Sequence, residues 1–135
     1  LGMIWRLDLE GDLLTTCGIT PDDTTIAAIL DGEILSREKR KQTSLKAIDG
    51  KGSAHEWLVV DAEVTQIKTK GRTIACAAGS EVYFLNGNGE VVDVYTSLSK
   101  VESIYLASED LAYVFSGGKL VSVQINVPKK FLGIF

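Results

Sequence analysis

The sequence predicts an all-β chain of three consecutive four-stranded antiparallel units, set side by side as the blades of a β-propeller. Three observations predict it: a motif recurs at nearly constant spacing, each copy divides into four short β-prone runs, and an alanine recurs in the third run of every copy.

The repeat is clearest between GKGSAHEWLVVDAEVTQIKT and GNGEVVDVYTSLSKVESIYL. At an offset of 37, Gly50 falls on Gly87, Gly52 on Gly89, Val64 on Val101 and Ile67 on Ile104. Ile74-Ala75 falls on Leu111-Ala112 at the same offset. An earlier copy is stretched. Gly2 to Leu14 spans 12 positions, as do Gly52 to Val64 and Gly89 to Val101. Ile26-Ala27 then matches Ile74-Ala75, and Ile34 matches Val82, at an offset of 48. The units are 2–49, 52–86 and 89–126, followed by a tail at 127–135, all within a single domain or domain fragment 1–135.

Within each unit the first strand follows the opening glycine, at 3–7, 55–60 and 91–95. The second lies at 14–19, 64–69 and 101–106, and the third at 25–30, 74–78 and 111–115. The fourth lies at 33–35, 81–85 and 119–124. Val, Ile, Thr and Tyr fill the runs, and Gly, Asn, Asp and Ser separate them, which is strand and turn chemistry. A short helix is conceivable at 36–46 alone. Ala27, Ala75 and Ala112 are expected at one equivalent place, where a small residue lets radially arranged sheets approach.

Composition sets bounds. With 135 residues, 45% hydrophobic and 24% charged, the chain has the make-up of a globular domain. A net charge of −4 gives no overall pull towards nucleic acid or an anionic membrane. No run reaches the roughly 18 apolar residues of a membrane span. The N-terminus has no signal-peptide pattern, and two cysteines are too few for a disulfide framework, so a cytoplasmic, reducing setting is expected.

The units resemble WD-repeat and quinoprotein-type propeller blades. Leu14, Cys17, Ile19, Thr20, Pro21 and Asp22 stand where WD-type second strands read V-x-x-V-x-F-S-P-D. Val101, Ile104, Leu106, Ser108 and Asp110 give a shifted echo. Gly79, Val82, Tyr83, Leu85, Asn86 and Gly89 fit the fourth strand of quinoprotein blades. The Gly-His and Trp-Asp pairs of WD repeats are missing. The resemblance implies the architecture and leaves the subfamily unassigned. Three blades do not close a ring of about four to eight. Either the chain is part of a longer propeller, or two copies complete a six-bladed ring.

Candidate sites are few. The first unit carries 11 additional residues within 34–52, and 36–46 has a local charge of +4 from Arg37, Lys39, Arg40, Lys41 and Lys46 against Glu38. This is a partner-binding candidate, set against the plain reading of a solvated hairpin. Phe131, Leu132, Ile134 and Phe135 in the tail are candidate assembly residues, set against a frayed terminus. Cys17 and Cys76 read as small buried hydrophobes. His55, the only histidine, sits on a first strand without metal-ligand companions. Asp22-Asp23 and Glu109-Asp110 recur before third strands as turn residues, and Asn86, Asn88 and Glu90 echo a calcium loop that Lys51 spoils in the sister copy. The glycines at 50–53 lack the spacing of a phosphate loop, and Trp5 and Trp57 read as packing residues.

The expected function is a non-enzymatic scaffold for protein–protein interaction. The alternatives are a piece of a quinoprotein-like enzyme with its active site elsewhere, and an acidic-ligand or nucleic-acid binder acting through 36–46. No catalytic residue, cofactor or metal is assigned. The expected partner is a protein, the remaining blades of a longer chain, or a second copy. Nucleic acid is disfavoured because no aromatic interleaves the basic run, and no membrane is expected.

Overall fold

The computed structural model describes residues 2–31 and 42–126. All regular structure among them is strand. The runs form β1 (Leu13–Ile19), β2 (Thr25–Leu30), β3 (Thr43–Ile48) and β4 (Ala54–Val60). They continue as β5 (Val64–Lys70), β6 (Thr73–Ala78), β7 (Glu81–Leu85) and β8 (Val91–Thr96), and end as β9 (Val101–Ser108), β10 (Leu111–Ser116) and β11 (Lys119–Gln124). Each strand pairs antiparallel with its sequence neighbour in three sheets: β1 to β4, β5 to β8, and β9 to β11. We refer to these as sheets A, B and C. Among the described residues no helix is long and apolar enough to cross a membrane.

Sheets and sequence units are out of phase by one strand. The run after each opening glycine is the last strand of the preceding sheet, as β4 and β8 show. The glycines themselves lie inside sheets, in the turns joining β3 to β4 and β7 to β8. Residues 43–46, within the segment considered for a helix, are strand. β3, not the 33–35 run, is the third strand of sheet A, and Leu45 takes the place opposite Ala28 that Val82 takes opposite Ala77. The length difference between the two copies therefore falls in the β2–β3 connection at 31–42, where sheet B needs only Gly79 and Ser80. Of that connection, residues 32–41 lie outside the described residues.

The sheets stack in series through two apolar layers. Ile26, Ala28, Leu45 and Ala47 of sheet A pack against Val64, Ile67, Ile74, Cys76 and Leu85 of sheet B. Ala75, Ala77, Val82 and Phe84, on the other face of sheet B, pack against Val101, Ile104, Leu106, Ala112 and Val114 of sheet C. Each sheet thus has a leading face, towards its predecessor, and a trailing face, towards its successor. Alternation along the strand gives every second residue to each face.

Strand register settles which positions are equivalent. Cys17 pairs with Ala27, Ile67 with Cys76, and Ile104 with Val114. Ala27, Cys76 and Val114 are therefore counterparts on the leading faces. Ala75 lies opposite Lys68, on the trailing face of B, and Ala112 lies opposite Leu106, on the leading face of C. The three alanines do not share one place. Bulges near Thr15, in β5 and at both ends of the β9–β10 ladder shift the count, and a one-residue shift exchanges faces.

The innermost strands are tied by side chains. Thr15 Oγ1 donates to the Val64 carbonyl at 2.7 Å, and Thr69 Oγ1 donates to the Ile19 carbonyl at 2.7 Å. Gln66 Nε2 donates to the Glu102 carbonyl at 2.7 Å, while its Oε1 accepts from Ile104 N at 3.1 Å. Buried Thr43 donates to the Ala62 carbonyl at 2.7 Å and accepts from Val64 N at 3.2 Å, which anchors the A-to-B crossover. Among the described residues no buried side-chain polar atom lacks a partner.

Candidate binding cleft

In each sheet the chain reverses at one end through 20–24 and 49–53, through 71–72 and 86–90, and through 109–110. This turn-bearing end holds the structure's best-formed cleft.

Two turns there are built alike. Asp49 Oδ1 accepts from Lys51 N at 2.8 Å and Ser53 N at 3.0 Å. Asn86 Oδ1 accepts from Asn88 N at 2.9 Å and Glu90 N at 3.1 Å. These are side-chain-closed turns of the kind Asp and Asn favour. The backbone N–H groups of Ser53 and then Lys51 hold the Asp49 carboxyl below its ordinary range. The side-chain oxygen of Asn86 is spent on the turn and its amide donates to Glu90 Oε1 at 2.8 Å, so the calcium-like spacing serves turn closure.

Each turn needs a glycine for a neighbour from outside its sheet. Gly52 (φ +92°) lies under Trp5, and Gly89 (φ +83°) lies under Trp57, so close that a Cβ on either would overlap the tryptophan. Trp57 belongs to β4 of sheet A, whereas Gly89 belongs to sheet B.

A cleft of about 310 Å³ opens between the ends of sheets A and B. Pro21, Asp22, Trp57, Arg72, Ile74 and Gly87 line it, with Thr20 and Thr24 at the β1–β2 hairpin. Thr20 Oγ1 donates to Asp22 Oδ1 and accepts from Thr24 N at 3.2 Å. The Thr20 and Thr24 hydrogen bonds lower the Asp22 pKa, so this carboxylate is ionised at neutral pH. Arg72 sits on the two-residue β5–β6 turn. Its backbone N donates to Glu109 Oε2 at 2.6 Å, and Thr73 Oγ1 donates to the Glu109 carbonyl at 2.6 Å. Sheet C thereby fixes the hairpin that carries Arg72, whose guanidinium has no carboxylate partner among the described residues.

Of the residues singled out in the sequence, Lys46 lies on β3, half-buried, paired with Ala27 and Glu56. It is separated from the cleft and from the 31–42 connection. Arg37, Lys39, Arg40 and Lys41, and Phe131, Leu132, Ile134 and Phe135, lie outside the described residues. Cys76 is buried as expected, and burial pushes its thiol up to about 12. Cys17 is exposed, against expectation, because no sheet covers the leading face of sheet A at β1. His55 lies exposed on the outer strand β4. Among the described residues no cluster of His, Cys, Asp and Glu is arranged to hold a metal. Sequence reasoning assigned Trp57 to packing and Asp22 to a turn, and passed over Arg72. Only the sheet-to-sheet register brings the three together.

No protein family and no curated protein matches the chain. Among solved structures, the crystal structure of a structural-genomics target from Lactobacillus plantarum is similar over 92% of this chain, with a TM-score of 0.46 and 14% identity. The chain spans 44% of that protein's length. The likeness is too distant to transfer a fold family or a function.

Proposed function

We propose that the three sheets are blades of a β-propeller and that the chain is a non-enzymatic module binding a protein partner at the turn-bearing end. The propeller reading is supported by serial stacking in which the leading face of each sheet always meets the trailing face of the one before. The tryptophan-over-glycine relation, repeated at Trp5–Gly52 and Trp57–Gly89, favours quinoprotein-type over WD-type blade construction.

The binding reading is carried by one observation: Trp57, Arg72 and Asp22, from different elements, meet around a single cleft. Trp and Arg are the side chains most enriched at the energetic centres of protein interfaces. Here both are placed on rigid hairpins at a rim that also carries a fixed carboxylate. The arrangement suits a peptide segment with an apolar anchor flanked by charges.

Panning a random-peptide phage library against the folded chain tests this. The reading predicts enriched peptides whose binding is lost in Arg72→Glu and weakened in Asp22→Ala. Enrichment that ignores both substitutions, or no enrichment, contradicts it.

A further inference from the structure

Residues 2–9 hold the place of a strand without being one. Trp5 stands over Gly52 as Trp57 stands over Gly89, and Trp57 lies on the fourth strand of the preceding sheet. Trp5, Leu7 and Leu9 cover Ala27, Ile29 and Ile48 on the leading face of sheet A. Yet among the described residues 2–9 pair with no strand, and no sheet precedes sheet A. Sheet C shows the complementary lack. It has three described strands where A and B have four, and its last strand, β11, offers an unpaired edge.

The uncovered parts of both outer faces are apolar. On the leading face of A, Leu14 is 52% exposed and Cys17 is exposed, whereas their counterparts Val64, Ile67, Val101 and Ile104 are buried. On the trailing face of C, Tyr105 and Leu120 are exposed, and Tyr105 stacks on Tyr113 at 6.3 Å between ring centroids.

Side-chain sizes at these faces fit each other. Inside the molecule, trailing Ile26 and Ala28 meet leading Ile67 and Cys76. Trailing Ala75 and Ala77 meet leading Ile104 and Val114. At the open faces the order of size inverts. The trailing positions hold Tyr113 and Phe115, and the leading positions hold Cys17 and Ala27. Close-packed interfaces conserve summed volume, so large trailing residues call for small leading ones.

We infer that the leading face of sheet A is an assembly surface whose occupant is sheet C of a second copy, with residues 2–9 adding to β11 as its fourth strand. The inference rests on the propeller reading. Two such head-to-tail contacts related by a twofold axis close a ring of six sheets, within the usual size range.

Sedimentation velocity combined with maleimide labelling of Cys17 tests it, with buried Cys76 as the internal control. The expected result is a species of twice 14.6 kDa, with Cys17 labelling lost as it forms. Phe115→Glu should restore the single-chain mass and rapid labelling. If that variant does not fold, Tyr105→Glu replaces it. A single-chain mass at every concentration overturns the inference, as do an open ladder of masses, labelling of Cys17 that ignores assembly, and insensitivity to the charge at position 115 or 105. Peptide binding at the Trp57 cleft is measured separately, so the two readings can fail independently.

Discussion

Trp57 on sheet A lies directly over Gly89 in the β7–β8 turn of sheet B, at a backbone φ of +83°. The contact joins two sheets through one side chain and one missing side chain. Substituting Gly89→Ala adds a methyl inside the indole's volume and a Cβ at a dihedral that L-residues disfavour. The expected cost is about 1–3 kcal/mol, read as a lowered urea midpoint. Gly87→Ala, where nothing lies within 4 Å and φ is not positive, should stay within about 0.5 kcal/mol of the parent.

The Gln66 amide behaves as a piece of backbone, donating to Glu102 and accepting from Ile104 on the neighbouring sheet. Gln66→Ala removes both bonds and leaves the part-buried Ile104 N–H without its partner. A loss of about 1–2 kcal/mol is expected. Gln66→Glu keeps the acceptor but sets a carboxylate against the Glu102 carbonyl. It should be at least as damaging at neutral pH and recover as the carboxyl protonates. Chemical denaturation at pH 7 and pH 4 distinguishes the two variants.

Asp49 and Asn86 close equivalent turns, one with a carboxylate and one with an amide. The folded-state pKa of Asp49 lies below its ordinary 3.8. Its ionic contribution is therefore complete above the unfolded pKa and is lost as pH falls through the folded value. Asp49→Asn keeps the accepting oxygen and removes the titration. The parent's advantage in Tm over this variant should be constant from pH 7 to pH 5 and should disappear in stronger acid.

Cys76 lies in the A–B layer with its thiol raised to about 12 by burial, whereas Cys17 is exposed. Iodoacetamide at pH 8 and low protein concentration should add one label per native chain, at Cys17, and two in guanidinium. Peptide mapping of the labelled chain checks both numbers.

Ten of the eleven strands were legible in the sequence, because β-branched runs bounded by glycine and Asx turns are local signals. β3 was missed: its TSLKAI run lies just after the basic stretch, and the helix considered for 36–46 overlapped it. The division into sheets was hidden for another reason. A repeat fixes a period but no origin, so Gly52 and Gly89 look like starts although they sit mid-sheet. The alanine register was hidden by bulges, each of which moves the count by one and exchanges the faces of all that follows. The cleft was less legible still, since Asp22, Trp57 and Arg72 are brought together only by sheet stacking.

The central claim is that sheets of like construction stack in one direction, leading face on trailing face. A methyl-resolved NOESY spectrum of the folded chain tests it most directly. The account predicts cross-peaks from Ile67 methyls to Gly18, whose Cβ position would lie 2.9 Å from Ile67 Cγ2, and from the Ala75 and Ala77 methyls to Ile104 and Val114. Cross-peaks from Ile67 or Cys76 to the methyls of sheet C would place the wrong face of sheet B against it, and would contradict the account.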